Sequence, residues 1–230
     1  MATLFVIRHG LTGQTGKTLY GQTGGIDLDD RGRSQADALV DRFADVNLTA
    51  LYSSPLERCV QTVEPLAAAS RLPVVVRDDL IEMDAGSWTG KSLARLRTTK
   101  AWREVHASPS TFRFPGGGEG FADAQARVVA AMQAIARRHR RGRVAVATHG
   151  DIARLFLAHA QGIPLDGFQR LVIDTASVSV VQRAGDGWRV LLMNDTGGLA
   201  RFGATPAPPW EARRPRTTAR RVPNRRSVRG

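Results

Sequence analysis

Two His-Gly dipeptides, His9-Gly10 and His149-Gly150, each close a short apolar run, Thr3-Leu4-Phe5-Val6-Ile7-Arg8 and Arg143-Val144-Ala145-Val146-Ala147-Thr148. A run of this kind stopping at a polar residue and glycine reads as a buried parallel strand that opens into a loop or helix. Ligands of open α/β sheets sit at the carboxyl ends of such strands. Arg8 beside the first imidazole, and Arg58 from the intervening Ser53-Ser54-Pro55-Leu56-Glu57-Arg58 segment, add two guanidiniums whose planar forks match phosphate oxygens. The chemistry these residues suit is phosphoryl transfer. A neutral imidazole at position 9 attacks phosphorus, and Arg8, Arg58 and His149, protonated or hydrogen-bonding, meet the charge on the phosphoryl oxygens. Glu82 is the candidate proton donor to the leaving alcohol and afterwards the base for water, with Asp84 next in line.

The elements that must position these groups follow from the chain's periodicity. After the first strand, residues 10–30 form a Gly- and Thr-rich loop, far longer than the roughly two to six residues usual between strand and helix, and such loops are usually functional. A helix fits 30–44, a strand 50–53, a helix 55–70 capped by Ser54 with Pro55 in its first turn, and a strand 74–76. Helical spacing returns over 92–106 and over 121–139, followed by the strand 143–148 and a helix over 151–160. Strands at 171–173, 177–181 and 188–192 close the chain, the last two joined by an Ala184-Gly185-Asp186-Gly187 hairpin. This alternation predicts an α/β sandwich with a mostly parallel sheet and an antiparallel edge.

The whole chain of 230 residues carries a net charge of +12. Much of that excess lies in residues 204–230, which hold eight arginines against one acid, Glu211. Those residues lack apolar periodicity and are expected to form a disordered tail after a domain spanning 1–203, with weak contact to an anionic polymer as a secondary reading. Cys59 is the single cysteine, so an intramolecular disulfide is excluded, and a buried, inert thiol is expected there. No apolar stretch approaches the roughly 18 residues needed to span a bilayer, so no membrane insertion and a cytoplasmic setting are expected. Asp151 and His149 have no third ligand at metal-site spacing, so neither metal nor cofactor is expected. A homodimer is left open.

Taken together, Arg8-His9-Gly10, Leu28-Asp29-Asp30-Arg31-Gly32 with Gln35-Ala36, Ser53-Ser54-Pro55-Leu56-Glu57-Arg58 with Gln61-Thr62, Leu80-Ile81-Glu82 through Gly90, Pro115-Gly116-Gly117-Gly118-Glu119 and Thr148-His149-Gly150 resemble the histidine phosphatase superfamily, the phosphoglycerate-mutase-like enzymes. The resemblance implies a three-layer α/β/α sandwich and metal-independent hydrolysis of a small phosphorylated metabolite. His9 would be the transient phosphohistidine, Glu82 the acid and base, and Arg8, Arg58, His149 and Gly150 the phosphate pocket. Thr15 stands where many members have Asn, Leu11 where they have Glu, and Gln22 where small-molecule phosphatases have Arg; Thr15 and Gln22 join the candidate substrate-binding set. The long insertion of the mutases after the acid is absent, so the phosphatase branch is the closer likeness. A bisphosphoglycerate-dependent mutase and a non-catalytic phospho-ligand binder remain as alternatives.

Overall fold

The computed structural model describes residues 1–197; the expected tail at 204–230, and its boundary at 203, lie outside the described residues. The centre is a six-stranded sheet in the order β4-β3-β6-β1-β7-β8. These strands are β1 Thr3–Arg8, β3 Ala50–Ser53, β4 Val74–Val76, β6 Arg143–Thr148, β7 Val178–Ala184 and β8 Gly187–Asp195. β4, β3, β6 and β1 run parallel, while β7 and β8 add an antiparallel edge. This is the α/β architecture the alternation predicts.

Period-2 alternation of the strand residues builds the two cores. Phe5, Ile7 and Leu51 pack with Leu39 of α1 (Asp30–Arg42) and Val63 of α2 (Glu57–Ser70) on one face. Leu4, Val6, Val144 and Val146 pack with Val128 of α5 (Phe121–Arg138) and Ile152 of α6 (Gly150–Gln161) on the other. β1 and β6 are paired in register, Arg8 opposite Thr148, so His9 and His149 leave the sheet side by side.

Three elements depart from the sequence reading. Residues 171–173 are not a strand. Both edges of β1 are already taken by β6 and β7, and the segment follows a 3-10 helix at Leu165–Arg170 as irregular chain with Val172 exposed. The single helix expected over 92–106 is two, α3 Leu93–Leu96 and α4 Lys100–Ala107, because the Thr99 hydroxyl accepts from Trp102 N and caps a new helix. α2 begins at Glu57 rather than Pro55, with Leu56 as N-cap, and the Ser54 side chain turns elsewhere. The long 10–30 loop holds a further element, β2 Thr18–Leu19, paired antiparallel with β5 Lys91–Ser92. That small sheet ties the loop after His9 to the α3–α4 segment.

Candidate active site

His9 follows β1 and is buried, with Nδ1 2.7 Å from the Gly10 carbonyl. A carbonyl only accepts, so Nδ1 carries the hydrogen and Nε2 the lone pair. Removal from water, with Arg8 and then Arg58 adding repulsion against the Gly10 hydrogen bond, pushes its pKa down to about 3. The imidazole is therefore neutral at physiological pH. The chain after it is fixed from three sides: Gly10 N donates to Thr62 Oγ1 (2.8 Å), Leu11 N to Gln35 Oε1 (2.9 Å) and Asp29 N to the Leu11 carbonyl (3.1 Å). Gly32, whose N–H is capped by Asp29 Oδ1, lies so close that an added Cβ would stand 2.0 Å from the Leu11 carbonyl oxygen.

His149 is the N-cap of α6 and is fully buried, its ring centroid 5.4 Å from that of His9. Its Nε2 lies 2.7 Å from Ser54 Oγ and 3.4 Å from Cys59 Sγ. Burial, followed by the charges of Arg58, His9 and Arg8, holds its pKa well below the usual value. Of the two states the sequence left open, this environment favours the neutral, hydrogen-bonded one. The Cys59 thiol is buried and its pKa is pushed up by that burial, so it is an inert neighbour, as its sequence context suggests.

Arg58 is fully buried, donates Nη2 to the Gly21 carbonyl (2.8 Å) and Nη1 to that of Thr23 (3.1 Å), and lies 4.7 Å from the Tyr20 ring centre. Arg8 donates Nη1 to the Ile173 carbonyl (2.6 Å), which is what the irregular 171–173 segment supplies. In both arginines the buried Nε–H finds no partner among the described residues. A buried unmet donor on a cation costs free energy and marks a place for an anion.

Glu82 sits in the loop after β4, half-buried, with Oε1 accepting from Met83 N (3.0 Å). Its pKa is pushed up to about 7 by removal from bulk water and by the Asp151 carboxylate, against the Met83 hydrogen bond and the two arginines. The loop is held by hydrogen bonds from four directions. Thr148 Oγ1 donates to the Leu80 carbonyl (2.7 Å), Gln22 Nε2 to that of Glu82 (2.9 Å) and Glu119 N to that of Asp84 (2.9 Å). Arg127 Nη1 donates to the carbonyls of Asp79 (3.0 Å) and Ile81 (2.9 Å), while its Nε and Nη2 grip both oxygens of Glu119 at 2.9 and 2.8 Å.

A cavity of about 420 Å³ opens over this floor, and Arg8, His9, Thr15, Glu82 and Gly150 line it. Arg58 and His149 lie behind that lining, and Gln22 is spent on the acid loop rather than facing the cavity. Thr15 faces the cavity with its hydroxyl 2.9 Å from that of Thr12. Sequence reasoning missed the bracing roles of Ser54, Thr62, Gln22 and Arg127, and it missed Arg154, which lines the cavity with Nη1 2.8 Å from Asp151 Oδ1. Thr62 and Gln61 stand inside a quoted motif, and their spacing from Arg58 was the available signal. Nothing near Arg127 in sequence links it to Glu82. Among the described residues no group of three or more His, Cys, Asp or Glu could hold a metal ion, and no helix is long and apolar enough to cross a membrane.

Comparison with known proteins agrees with this geometry. Residues 4–196 match the histidine phosphatase superfamily (branch 1). The chain is 29% identical over 204 residues to phosphoserine phosphatase 1 of Hydrogenobacter thermophilus, covering 88% of this chain and 96% of that one. It is 30% identical over 206 residues to the metal-independent phosphoserine phosphatase of Arabidopsis thaliana, covering 87% and 84%. Among solved structures, Bacillus stearothermophilus YhfR superposes with a TM-score of 0.79 at 28% identity, over 85% of this chain and 98% of that one. A site built from two strand-end imidazoles, two arginines with unmet Nε–H groups and a carboxyl near neutrality thus coincides with a match along nearly the whole described chain: the protein belongs to branch 1 of the histidine phosphatase superfamily, a family of enzymes.

Proposed function

We propose that the protein hydrolyses phosphate monoesters of small metabolites without a metal ion, through a phosphohistidine on His9. The observation that carries this reading is the state of His9: neutral, with Nδ1 tied to the Gly10 carbonyl and Nε2 left as the nucleophilic nitrogen on the cavity floor. Nε2 forms a bond to phosphorus as the P–O bond to the alcohol breaks, and protonated Glu82 gives its proton to the departing oxygen. Water then attacks the phosphohistidine, its proton passes to the Glu82 carboxylate, and phosphate leaves with His9 regenerated. The Arg8 and Arg58 guanidiniums, with the α6 N-terminus at Gly150, hold the phosphoryl oxygens as charge shifts towards them. His149, braced by Ser54, completes the cradle. Rapid alkaline quench of enzyme mixed with labelled phosphate ester tests this. Label that is stable in base, labile in acid and located on His9 is expected, with phosphate release needing no bisphosphorylated primer. Label on another residue, or a strict primer requirement, refutes hydrolysis by this route.

A further inference from the structure

Beyond the phosphoryl floor, the cavity wall combines a cluster of aromatic rings with aliphatic side chains such as Met83, Leu93 and Val105. Trp88 and Trp102 stack with ring centres 6.2 Å apart at 20°, His106 meets Trp102 at 5.2 Å, and Phe114 meets Trp88 edge-on at 5.5 Å. All four side chains line the cavity, as do Leu19 and Tyr20 of the segment that β2 pins to β5. Tyr20 is itself fixed by the Arg58 guanidinium 4.7 Å from its ring centre. A wall of mutually packed rings is preorganised, so a flat apolar group entering it gives up little ordering entropy beyond its own. The volume, about 420 Å³, falls within the roughly 300–1,000 Å³ of pockets that bury ligands larger than a three-carbon phosphate ester.

The remaining charged groups of the lining do not belong to the aromatic wall. Arg154 donates Nη1 to Asp151 at 2.8 Å and, like Arg8 and Arg58, carries a buried Nε–H with no partner among the described residues, so it adds a guanidinium beside Arg8 on the phosphoryl side rather than to the aromatic wall. Arg97 is exposed at the rim, where water weakens its hold on an anion.

Resting on the phosphatase reading above, we propose that this outer chamber is a leaving-group subsite. It selects phosphate monoesters of ring-bearing alcohols, with the flat ring against Trp102 and Trp88, over short charged esters such as phosphoserine. The subsite gains affinity from apolar burial on the alcohol side while Arg8 and Arg58 hold the phosphoryl side.

The test compares three esters of primary alcohols, which share the same demand for a proton on the leaving oxygen: 2-phenylethyl phosphate, propyl phosphate and O-phosphoserine. Wild-type kcat/KM is expected to be about tenfold or more higher for the phenylethyl ester than for either of the others. Trp102→Ala should bring that preference to within about threefold, the loss falling on the phenylethyl ester, and Trp102→Phe should restore it. A wild-type preference for phosphoserine, or a ring preference that survives in Trp102→Ala, overturns the proposal. Calorimetry with the matching phosphonates separates the two layers of the argument. Tighter binding of the phenylethyl phosphonate with no ester turned over sinks hydrolysis and keeps the subsite. Turnover of all three esters at equal kcat/KM sinks the subsite and keeps hydrolysis.

Discussion

Replacing Glu82 by Gln removes a titrating carboxyl and keeps its shape, which allows the acid's role to be read in both rate and stability. With a free-enzyme pKa of about 7, kcat/KM for an alkyl phosphate should fall tenfold for each pH unit above that value, because only the protonated acid serves the leaving oxygen. The Gln variant should lose this alkaline limb and turn over the alkyl ester about a hundredfold more slowly, the smaller end of what a general acid contributes. Phosphorylation by p-nitrophenyl phosphate, whose leaving group needs no proton, should change little, and burst kinetics separates that step from the water attack that follows. The linkage sign runs opposite to that of a salt-bridged carboxylate. Between the ordinary 4.5 and about 7 the unfolded chain has released this proton while the folded one keeps it, so rising pH favours unfolding across that window. At about 1.4 kcal/mol per pH unit the full effect is at most roughly 3 kcal/mol, less to the extent that water reaches the half-buried group. Urea unfolding should therefore show Glu82→Gln gaining on wild type from pH 4.5 to 7 and holding a constant lead above. Equal slowing of phosphorylation for both esters, or a stability difference that does not change with pH, would refute the assignment. The fallback acid, Asp84, already accepts from Gly86 N at 2.8 Å.

His9→Ala should lower turnover by about a thousandfold or more, measured with any ester, because the neighbouring imidazole, His149, has its Nε2 tied to Ser54 Oγ. Chelator should leave kcat/KM unchanged, and vanadate should inhibit as a mimic of pentacoordinate phosphorus; activity restored by added magnesium would contradict the charge balance. Gly32→Ala, which places a Cβ 2.0 Å from the Leu11 carbonyl oxygen, should cost about 2 kcal/mol or more in thermal unfolding and displace the loop after His9. Arg127→Met strips donors from the carbonyls of Asp79 and Ile81 and leaves Glu119 unpaired. It should lower kcat for alkyl esters more than for aryl esters, and adding Glu119→Met should recover stability without recovering that loss. Removing residues 204–230 should leave kcat/KM unchanged, because the family match ends at 196.

What the sequence made legible was local. Strands ending in His-Gly are visible because a β-branched or small apolar run and its terminator sit within eight residues, and pairing β1 with β6 then brings both imidazoles to one edge. The errors came where tertiary competition decides. Leu171-Val172-Ile173 has strand propensity, yet β1 has no vacant edge, and the segment instead delivers a carbonyl to Arg8. Ser54-Pro55 has the pattern of a helix start, but the serine hydroxyl is taken by His149, 95 residues away, and the helix waits until Glu57. The Arg127 grip on the Glu82 loop spans more than 40 residues, so no spacing rule could expose it. Gln22 was placed among the substrate-binding candidates by analogy with an arginine, and its amide is spent on the backbone of the acid.

The two proton-carrying groups are set in opposite directions by one cause. Burial disfavours whichever form is charged, so it drives His9 down to about 3 and Glu82 up to about 7, and at pH 6 the imidazole is neutral and the carboxyl protonated. Both are then in the state that the proposed first step requires. With Arg154 balanced by Asp151, the charge beside the cavity is that of Arg8 and Arg58, whose Nε–H groups find no partner among the described residues, and two positive charges balance a phosphate monoester dianion with no contribution from His149. Counting His149 as a third cation, as the sequence allowed, overstates the charge there, because burial holds that ring neutral. The dianion itself would favour protonation of both imidazoles once bound. Burial and the Arg8 and Arg58 charges oppose that protonation of His9, and the Gly10 carbonyl, by holding the hydrogen of the neutral ring on Nδ1, places its lone pair on Nε2.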